Sequence, residues 1–183
     1  KLFGIDPLLA LPASTLLGAL LGVASYYWFI KYLLRGPAIA QLFGTFGLML
    51  FFQYTAMFLF SADYRMIDKG LLVGKSLSVG PFVFDWTKLA FGILSLIAFA
   101  IVYYFINKTK TGKAIQATAL NKEAASYMGI KTERMNAIAW AIGGATVGTA
   151  GGLLVNFYYA YPMVGILFVM IAFACVALGG FGS

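Results

Sequence analysis

The basic stretch NKTKTGKAIQATALNKEAASYMGIKTER, residues 107–134, leads directly into the apolar run MNAIAWAIGGATVGTAGGLLV, residues 135–155. The apolar run has the length of a transmembrane helix, which needs roughly 20 apolar residues to cross the hydrocarbon layer. A basic segment beside such a run is typical of integral membrane proteins, whose helices cross lipid while their loops face water. This junction therefore indicates a helical membrane protein.

The composition of the whole chain indicates the same class. Of the 183 residues, 62% are hydrophobic and 10% are charged, whereas soluble domains carry about 25% charged residues. The net charge is +7, but the cations lie beside apolar runs, where they orient a membrane protein, so no nucleic-acid partner is predicted. Cys175 is the single cysteine and there is no histidine, so an internal disulfide is excluded.

The apolar runs predict one all-α domain over residues 1–183, a polytopic membrane helix bundle of about five spans. The first four predicted spans are 8–30, 38–60, 88–106 and 135–155. A fifth, 164–178, is shorter and leads into LGGFGS at 178–183. Because glycine can break a helix, the fifth run is interpreted either as a span that continues past Ser183 or as a re-entrant segment.

Charge differs between the predicted loops. Residues 31–37 and 107–134 together hold these cations: Lys31, Arg35, Lys108, Lys110, Lys113, Lys122, Lys131 and Arg134. In loop 61–86 the cations are balanced by Asp63, Asp68 and Asp85. The positive-inside rule therefore places 31–37 and 107–134 in the cytoplasm and 61–86 outside. The glycines of the outer loop predict a short hairpin, or else an interfacial loop anchored by Trp86.

The sequence GLLVGKS, Gly70–Ser76, is similar to a nucleotide-binding loop but has three residues between its glycines where that loop has four. We interpret it as a turn. The sequence contains no other constellation of catalytic groups. The chain is therefore predicted not to be an enzyme, and to hold no cofactor or metal of its own.

Small residues recur at every fourth position of the fourth span, at Gly144, Gly148 and Gly152. Such a stripe lets two helix backbones approach closely, which favours helix packing in lipid. The predicted role is tight packing within the chain, and a seam that slides between two conformations is the second interpretation.

Polar side chains in the second span are the candidates for a solute pathway. They are Gln41, Thr45 and Gln53. A polar group in hydrocarbon must find a partner or face a wet cavity, so hydrogen bonding between helices is the alternative. No acidic or basic residue lies in the middle of any span, which argues against a proton relay or a charge-selective pore.

Loop 107–134 contains good helix formers between Gly112 and Gly129. We predict one or two short helices that end in a tight turn at Gly129. Such a helix could lie on anionic lipid or dock into a partner, and the small residues Ala124 and Ala125 favour docking into a cleft.

The sequence EAASYMG, Glu123–Gly129, matches the EAA-x-x-x-G pattern of ABC importer permeases. More of the chain resembles the branched-chain amino-acid permeases of the LivH type, of which the urea ABC permease is a close relative. The similar stretches are RGPAIAQLFGTFGLMLF (35–51), TGKAIQATALNKEAASYMGIKTERMNAIAWAIGGATVGTAGGLL (111–154) and AFACVALGGFGS (172–183). Relatives of this type extend beyond both ends, so a longer native chain is expected.

The resemblance implies that the motif forms a cytoplasmic coupling helix inserted into a groove of an ATPase. The residues implied in this contact are Asn121, Glu123, Ala124, Ala125 and Gly129. It also implies an ATP-driven importer of branched-chain or other neutral amino acids, small amides or urea in a prokaryotic inner membrane. The implied partners are two ABC ATPase subunits holding ATP and Mg²⁺, a second permease (LivM-type or identical), and a periplasmic or lipid-anchored solute-binding protein.

An ATP-independent secondary transporter or channel is the alternative, and a purely structural subunit is a third class. Secondary transporters typically show internal repeats and often membrane-buried charge, and the sequence shows neither. Co-purification of a stoichiometric ATPase distinguishes the importer from both.

Overall fold

The computed structural model describes residues 7–61, 76–79, 82–156 and 158–179. The helices are α1 (Pro7–Ser25), a π-helical turn (Tyr26–Ile30), α2 (Lys31–Leu33), α3 (Ala38–Phe60), α4 (Trp86–Lys108), α5 (Lys110–Leu120), α6 (Lys122–Tyr127), α7 (Thr132–Leu154) and α8 (Gly165–Leu178). Two strands, β1 (Ser76–Val79) and β2 (Phe82–Asp85), complete the described elements. Most of GLLVGKS, the charges between 62 and 75, and the terminal GFGS lie outside the described residues.

Among the described residues, four helical segments are long and apolar enough to cross a membrane by length and composition. They are Ala10–Leu33, Ile39–Phe60, Leu89–Lys108 and Thr132–Leu154. The shorter fifth apolar run is the helix α8. The protein is therefore the polytopic helical bundle that the apolar runs predicted.

The first span extends further than the predicted range 8–30. The helix passes through the π-helical turn and ends at Leu33, and the amide of Gly36 then donates to the Leu33 carbonyl at 3.0 Å. Pro37 has an extended backbone and precedes α3. Proline fixes φ, lacks an amide donor and disfavours a helical residue before it. The Gly36–Pro37 pair therefore separates α2 from α3.

The predicted outer loop contains a β-hairpin. Strands β1 and β2 pair antiparallel, with Ser76 opposite Asp85 and Val79 opposite Phe82. Helix α4 follows β2 directly. Of the two interpretations of this loop, the described residues thus form the hairpin.

Helices α1 and α7 run antiparallel and form the central pair of the fold. Ser14 of α1 lies beside Gly152 near the end of α7, and Lys31 lies beside Glu133 near its beginning. The described core is small and lies toward the second of these ends, around Tyr26, Ile30 and Ala137. Helices α3 and α8 carry no buried residue among those described, as expected of helices that face lipid.

Candidate functional site

The hydrophilic loop begins with a tight reversal after α4. The Thr109 hydroxyl accepts a hydrogen bond from the Gly112 amide at 3.0 Å and so caps α5. A Cβ at position 112 would overlap the carbonyl oxygens of Phe105 and Ile106. Only glycine therefore lets α5 fold back this closely on α4, which holds the loop against the membrane helices.

Asn121 separates α5 from α6. Its backbone is extended, and its side-chain oxygen accepts from the Ala124 amide at 3.0 Å. This is the geometry of an N-cap, which satisfies one of the free amides at the start of a helix. The predicted site residue Asn121 thus fixes where α6 begins.

Gly129 fixes where α6 ends. It is the only glycine with positive φ (+81°) among the described residues. Its amide donates to the Ser126 carbonyl and the Ile130 amide donates to the Ala125 carbonyl, both at 3.0 Å. These two bonds form a Schellman motif, which needs a left-handed residue at the position that Gly129 occupies.

The predicted motif residues divide between the two sides of α6. Ala125 is 4% exposed and faces the rest of the protein, whereas Glu123 and Ala124 are exposed. Residues four apart share a helix face, so Tyr127 and Met128 continue the exposed side, at 87% and 83% exposure. We call Glu123, Ala124 and Tyr127, together with the C-cap residue Met128, the outer face of α6. Met128 was among the apolar residues noted in this loop from the sequence, whereas Tyr127 was missed, although a large aromatic residue in a hydrophilic loop was a readable signal.

The loop is joined to the first span by an ion pair. The ammonium of Lys31 lies 3.0 Å from a carboxylate oxygen of Glu133, in the first turn of α7. Both side chains are partly exposed, so this pair contributes modestly to stability. The ion pair matters for the arrangement of the chain, because it brings segments 31–37 and 107–134 to the same end of the α1–α7 pair.

The glycine stripe of α7 lies against α1. A Cβ at Gly144 would overlap the Gly18 carbonyl oxygen, and one at Gly148 would overlap the Ser14 carbonyl oxygen. A Cβ at Gly152 would lie 2.6 Å from the Ser14 hydroxyl oxygen. The partner stripe on α1, which includes Gly18 and Gly22, was missed from the sequence, although its four-residue spacing was a readable signal.

The polar residues proposed for a solute pathway have mainly local partners. The Gln41 side-chain amide donates to the Gly36 carbonyl at 2.9 Å, and the Thr45 hydroxyl donates to the Leu42 carbonyl of its own helix. Gln53 is half-buried. None of the three lines the groove of about 780 Å³ between α1, α3 and α7. That groove is lined by small and apolar residues, including Ser14, Gly18, Gly22, Leu48, Phe52 and Trp140.

The described residues contain no group of three or more His, Cys, Asp or Glu side chains that could hold a metal ion. The site described above consists of the exposed helix α6 at one end and the close α1–α7 pair behind it.

The whole chain matches one protein family. The family is described as "Branched-chain amino acid transport system / permease component", and its sequence profile matches residues 1–183. The chain belongs to this family. It is thereby an integral membrane protein of a transport family, and its resemblance to the LivH type is confirmed by its relatives.

Two relatives match this chain along almost its whole length. It is 30% identical over 190 residues to the "Probable branched-chain amino acid transport permease protein LivH" of Methanocaldococcus jannaschii, covering 98% of this chain and 58% of that protein. It is 29% identical over 192 residues to the high-affinity branched-chain amino acid transport system permease protein LivH of Escherichia coli K12, covering 100% and 62%. The chain thus spans about three fifths of these relatives.

A third relative carries a different name. The chain is 32% identical over 89 residues to the ribose import permease protein RbsC of Bacillus subtilis, covering 48% of this chain and 28% of that protein. No solved structure matches the chain significantly.

Proposed function

We propose that this chain is part of the permease of an ATP-driven importer, and that α6 couples it to a separate ATPase. The family and the names of its relatives support the import role. The solute class we propose is branched-chain or other neutral amino acids, with small amides or urea as the nearest alternatives. The location we propose is the inner membrane of a prokaryote, with segments 31–37 and 107–134 in the cytoplasm.

The outer face of α6 is the observation that carries the coupling role. Tyr127 and Met128 are almost fully exposed in a basic loop, where burying each would yield roughly 1.5–3 kcal/mol. An amphipathic helix that lay on lipid would need a longer apolar face than the six residues of α6 provide. A short helix with two capped ends and two prominent apolar side chains instead suits insertion into a cleft.

The coupling mechanism follows from the way α6 is held. Nucleotide binding favours one arrangement of the two ATPase subunits, and a helix docked in them is displaced with them. The Schellman turn at Gly129 connects α6 to α7 within a few residues. Displacement of α6 would thus be passed to a membrane-spanning helix. ATP and Mg²⁺ would be held by the partner subunits.

The solute class is supported by the charge of the spans. In the described spans, acidic and basic residues occur near the ends, such as Lys31, Lys108 and Glu133. A fixed charge in the middle of a span usually serves an ion or a charged solute. A path without one suits a solute with no net charge, such as a zwitterionic amino acid.

The test is association with the ATPase. The double substitution Tyr127→Ser with Met128→Ser is expected to weaken binding of the ATPase subunits to the full-length permease by about tenfold or more, since buried aromatic anchors dominate such interfaces. Uptake of radiolabelled leucine into proteoliposomes should fall in parallel. The matched control is Tyr104→Ser, which removes an exposed tyrosine of α4 outside the loop.

Two results would contradict the proposal. Unchanged ATPase association in the double variant would exclude the outer face of α6 as the contact. Leucine uptake by the purified permease without any ATPase would favour the secondary transporter.

A further inference from the structure

The α1–α7 pair is in contact through its backbones. A Cβ at Gly18 would overlap the Gly144 carbonyl oxygen, and one at Gly22 would overlap the Trp140 carbonyl oxygen. A Cβ at Gly144 or at Gly148 of α7 would likewise overlap a carbonyl oxygen of α1. Two helices this close have no side-chain layer between them that could adjust if one helix moved along the other.

Three further contacts fix the register of the pair along its length. The hydroxyl oxygens of Thr15 and Thr149 are 2.8 Å apart. Tyr26 and Ile30, each 1% exposed, form a buried cluster with Ala137 of α7. The Lys31–Glu133 ion pair lies at the loop end. Together they join the helices at three separate levels.

A slip of the pair would meet a steric barrier. Moving α1 along the axis by the rise of one residue, about 1.5 Å, would keep the same face of α1 toward α7 but take Gly18 and Gly22 out of register with Gly144 and Gly148. Small residues would return to register only after four residues, about 6 Å. Such a shift would also break the threonine contact and the ion pair.

Helix α3 is joined to this pair far more loosely. It meets the first span through side chains, as in the Trp28–Phe51 ring contact with centroids 5.5 Å apart and the position of Gly44 against Leu33. The groove of about 780 Å³ lies between α3 and the pair. Side-chain contacts beside an open groove can rearrange where backbone contacts cannot.

We propose that α1 and α7 move as one rigid unit during transport, and that the conformational change displaces this unit against α3 across the groove. The proposal rests on the proposed import function and goes beyond it. In this proposal the contact along the glycine stripe stays fixed during transport and does not slide. Because α7 follows α6 directly, a displacement of α6 would carry both helices of the unit.

A reversible disulfide across the seam tests the rigid unit. In the Cys175→Ala background, we introduce Ser14→Cys and Gly152→Cys. A Cβ at position 152 lies 3.5 Å from the Ser14 Cβ, within the range that disulfides adopt. In the full-length permease assembled with its partners, oxidised and reduced forms should take up leucine at rates within twofold of each other.

The matched control tethers α3 to the π-helical turn that continues α1. Trp28→Cys and Phe51→Cys, joined by a short thiol-specific linker, should reduce uptake at least tenfold, and reductive release of the linker should restore it. Unchanged uptake with this tether would exclude displacement of the unit against α3. Loss of uptake on oxidation of the 14–152 pair, with recovery on reduction, would show that the seam must move and would overturn the rigid unit.

Leucine uptake tests the proposed function, and distances between spin labels test the rigid unit separately. If the unmodified assembly carries no leucine, the proposed solute is wrong. The rigid unit is then tested by spin-label distances in the same assembly. Labels at the exposed positions Leu20 and Val147 should keep their separation when a nucleotide analogue is added, while labels at Leu20 and Phe43 should change theirs. A changed separation in the first pair, or an unchanged one in the second, would overturn the inference.

If the 14–152 variant fails to assemble, Thr15→Cys with Thr149→Cys replaces it at the threonine contact.

Discussion

Gly129 illustrates how a single backbone angle can define a functional element. Its φ of +81° permits the two hydrogen bonds that end α6, and a Cβ there would meet no atom within 4 Å. A substitution is therefore costly for conformational and not steric reasons. Valine should cost about 1–2 kcal/mol, whereas asparagine, which tolerates the left-handed region, should cost less. Hydrogen exchange of the amides of Gly129 and Ile130 should be about tenfold faster in Gly129→Val than in Gly129→Asn.

Equal exchange in the two variants would contradict this account, because a purely steric or solvent effect would not distinguish them. The turn itself was predictable from the sequence, since glycine after a run of helix formers indicates a helix end. Which motif residues are buried and which are exposed was not predictable from the sequence. Both Ala124 and Ala125 are alanines, and the packing of α6 against α5 and α7 decides that Ala125 is buried while Ala124 is exposed.

At the scale of elements, the glycines of α7 fall into two classes that the sequence does not separate. Gly148 lies in the seam, where a side chain would overlap the Ser14 carbonyl, whereas Gly151 has no atom within 4 Å of a built Cβ. Gly148→Val should therefore force α1 and α7 apart and destabilise the protein by about 1–3 kcal/mol, the usual range for overpacking. The same substitution at Gly151 is the matched control and should have little effect. Thermal unfolding in detergent measures both, and equal melting temperatures for the two variants would show that the seam does not support stability.

The stripe could be found from the sequence because its spacing is regular, but its partner could not be identified in the same way. Gly18 and Gly22 are also four residues apart, yet spacing alone does not reveal which helix faces which. The polar residues of α3 show the same limit. Gln41 stays a candidate for a solute path, and the hydrogen bond that its amide donates to the Gly36 carbonyl depends on the geometry of the α2–α3 connection, which spacing does not show.

At the scale of the whole molecule, hydropathy was sufficient to predict the four long helices because burial in lipid imposes length and composition on each helix separately. Helix α3 has the predicted bounds, 38–60. The arrangement of the spans depends on contacts between residues far apart in sequence, such as Thr15 with Thr149. No local pattern encodes those pairings.

The orientation of the protein in the membrane gives the last prediction. The Lys31–Glu133 ion pair requires segments 31–37 and 107–134 to share one side, and the positive-inside rule predicts from their cations that this side is cytoplasmic. Ser61 lies at the far end of α3, a helix of 23 residues, about 34 Å long. In the Cys175→Ala background, a membrane-impermeant maleimide added to intact cells should label Ser61→Cys. It should label Arg35→Cys and Ala119→Cys only after permeabilisation. Labelling of Arg35→Cys and Ala119→Cys from opposite sides would contradict the placement of both segments on one side of the membrane. Labelling of both from outside would show that α6 lies outside the cell, where it could not contact a cytoplasmic ATPase, and would exclude the coupling role.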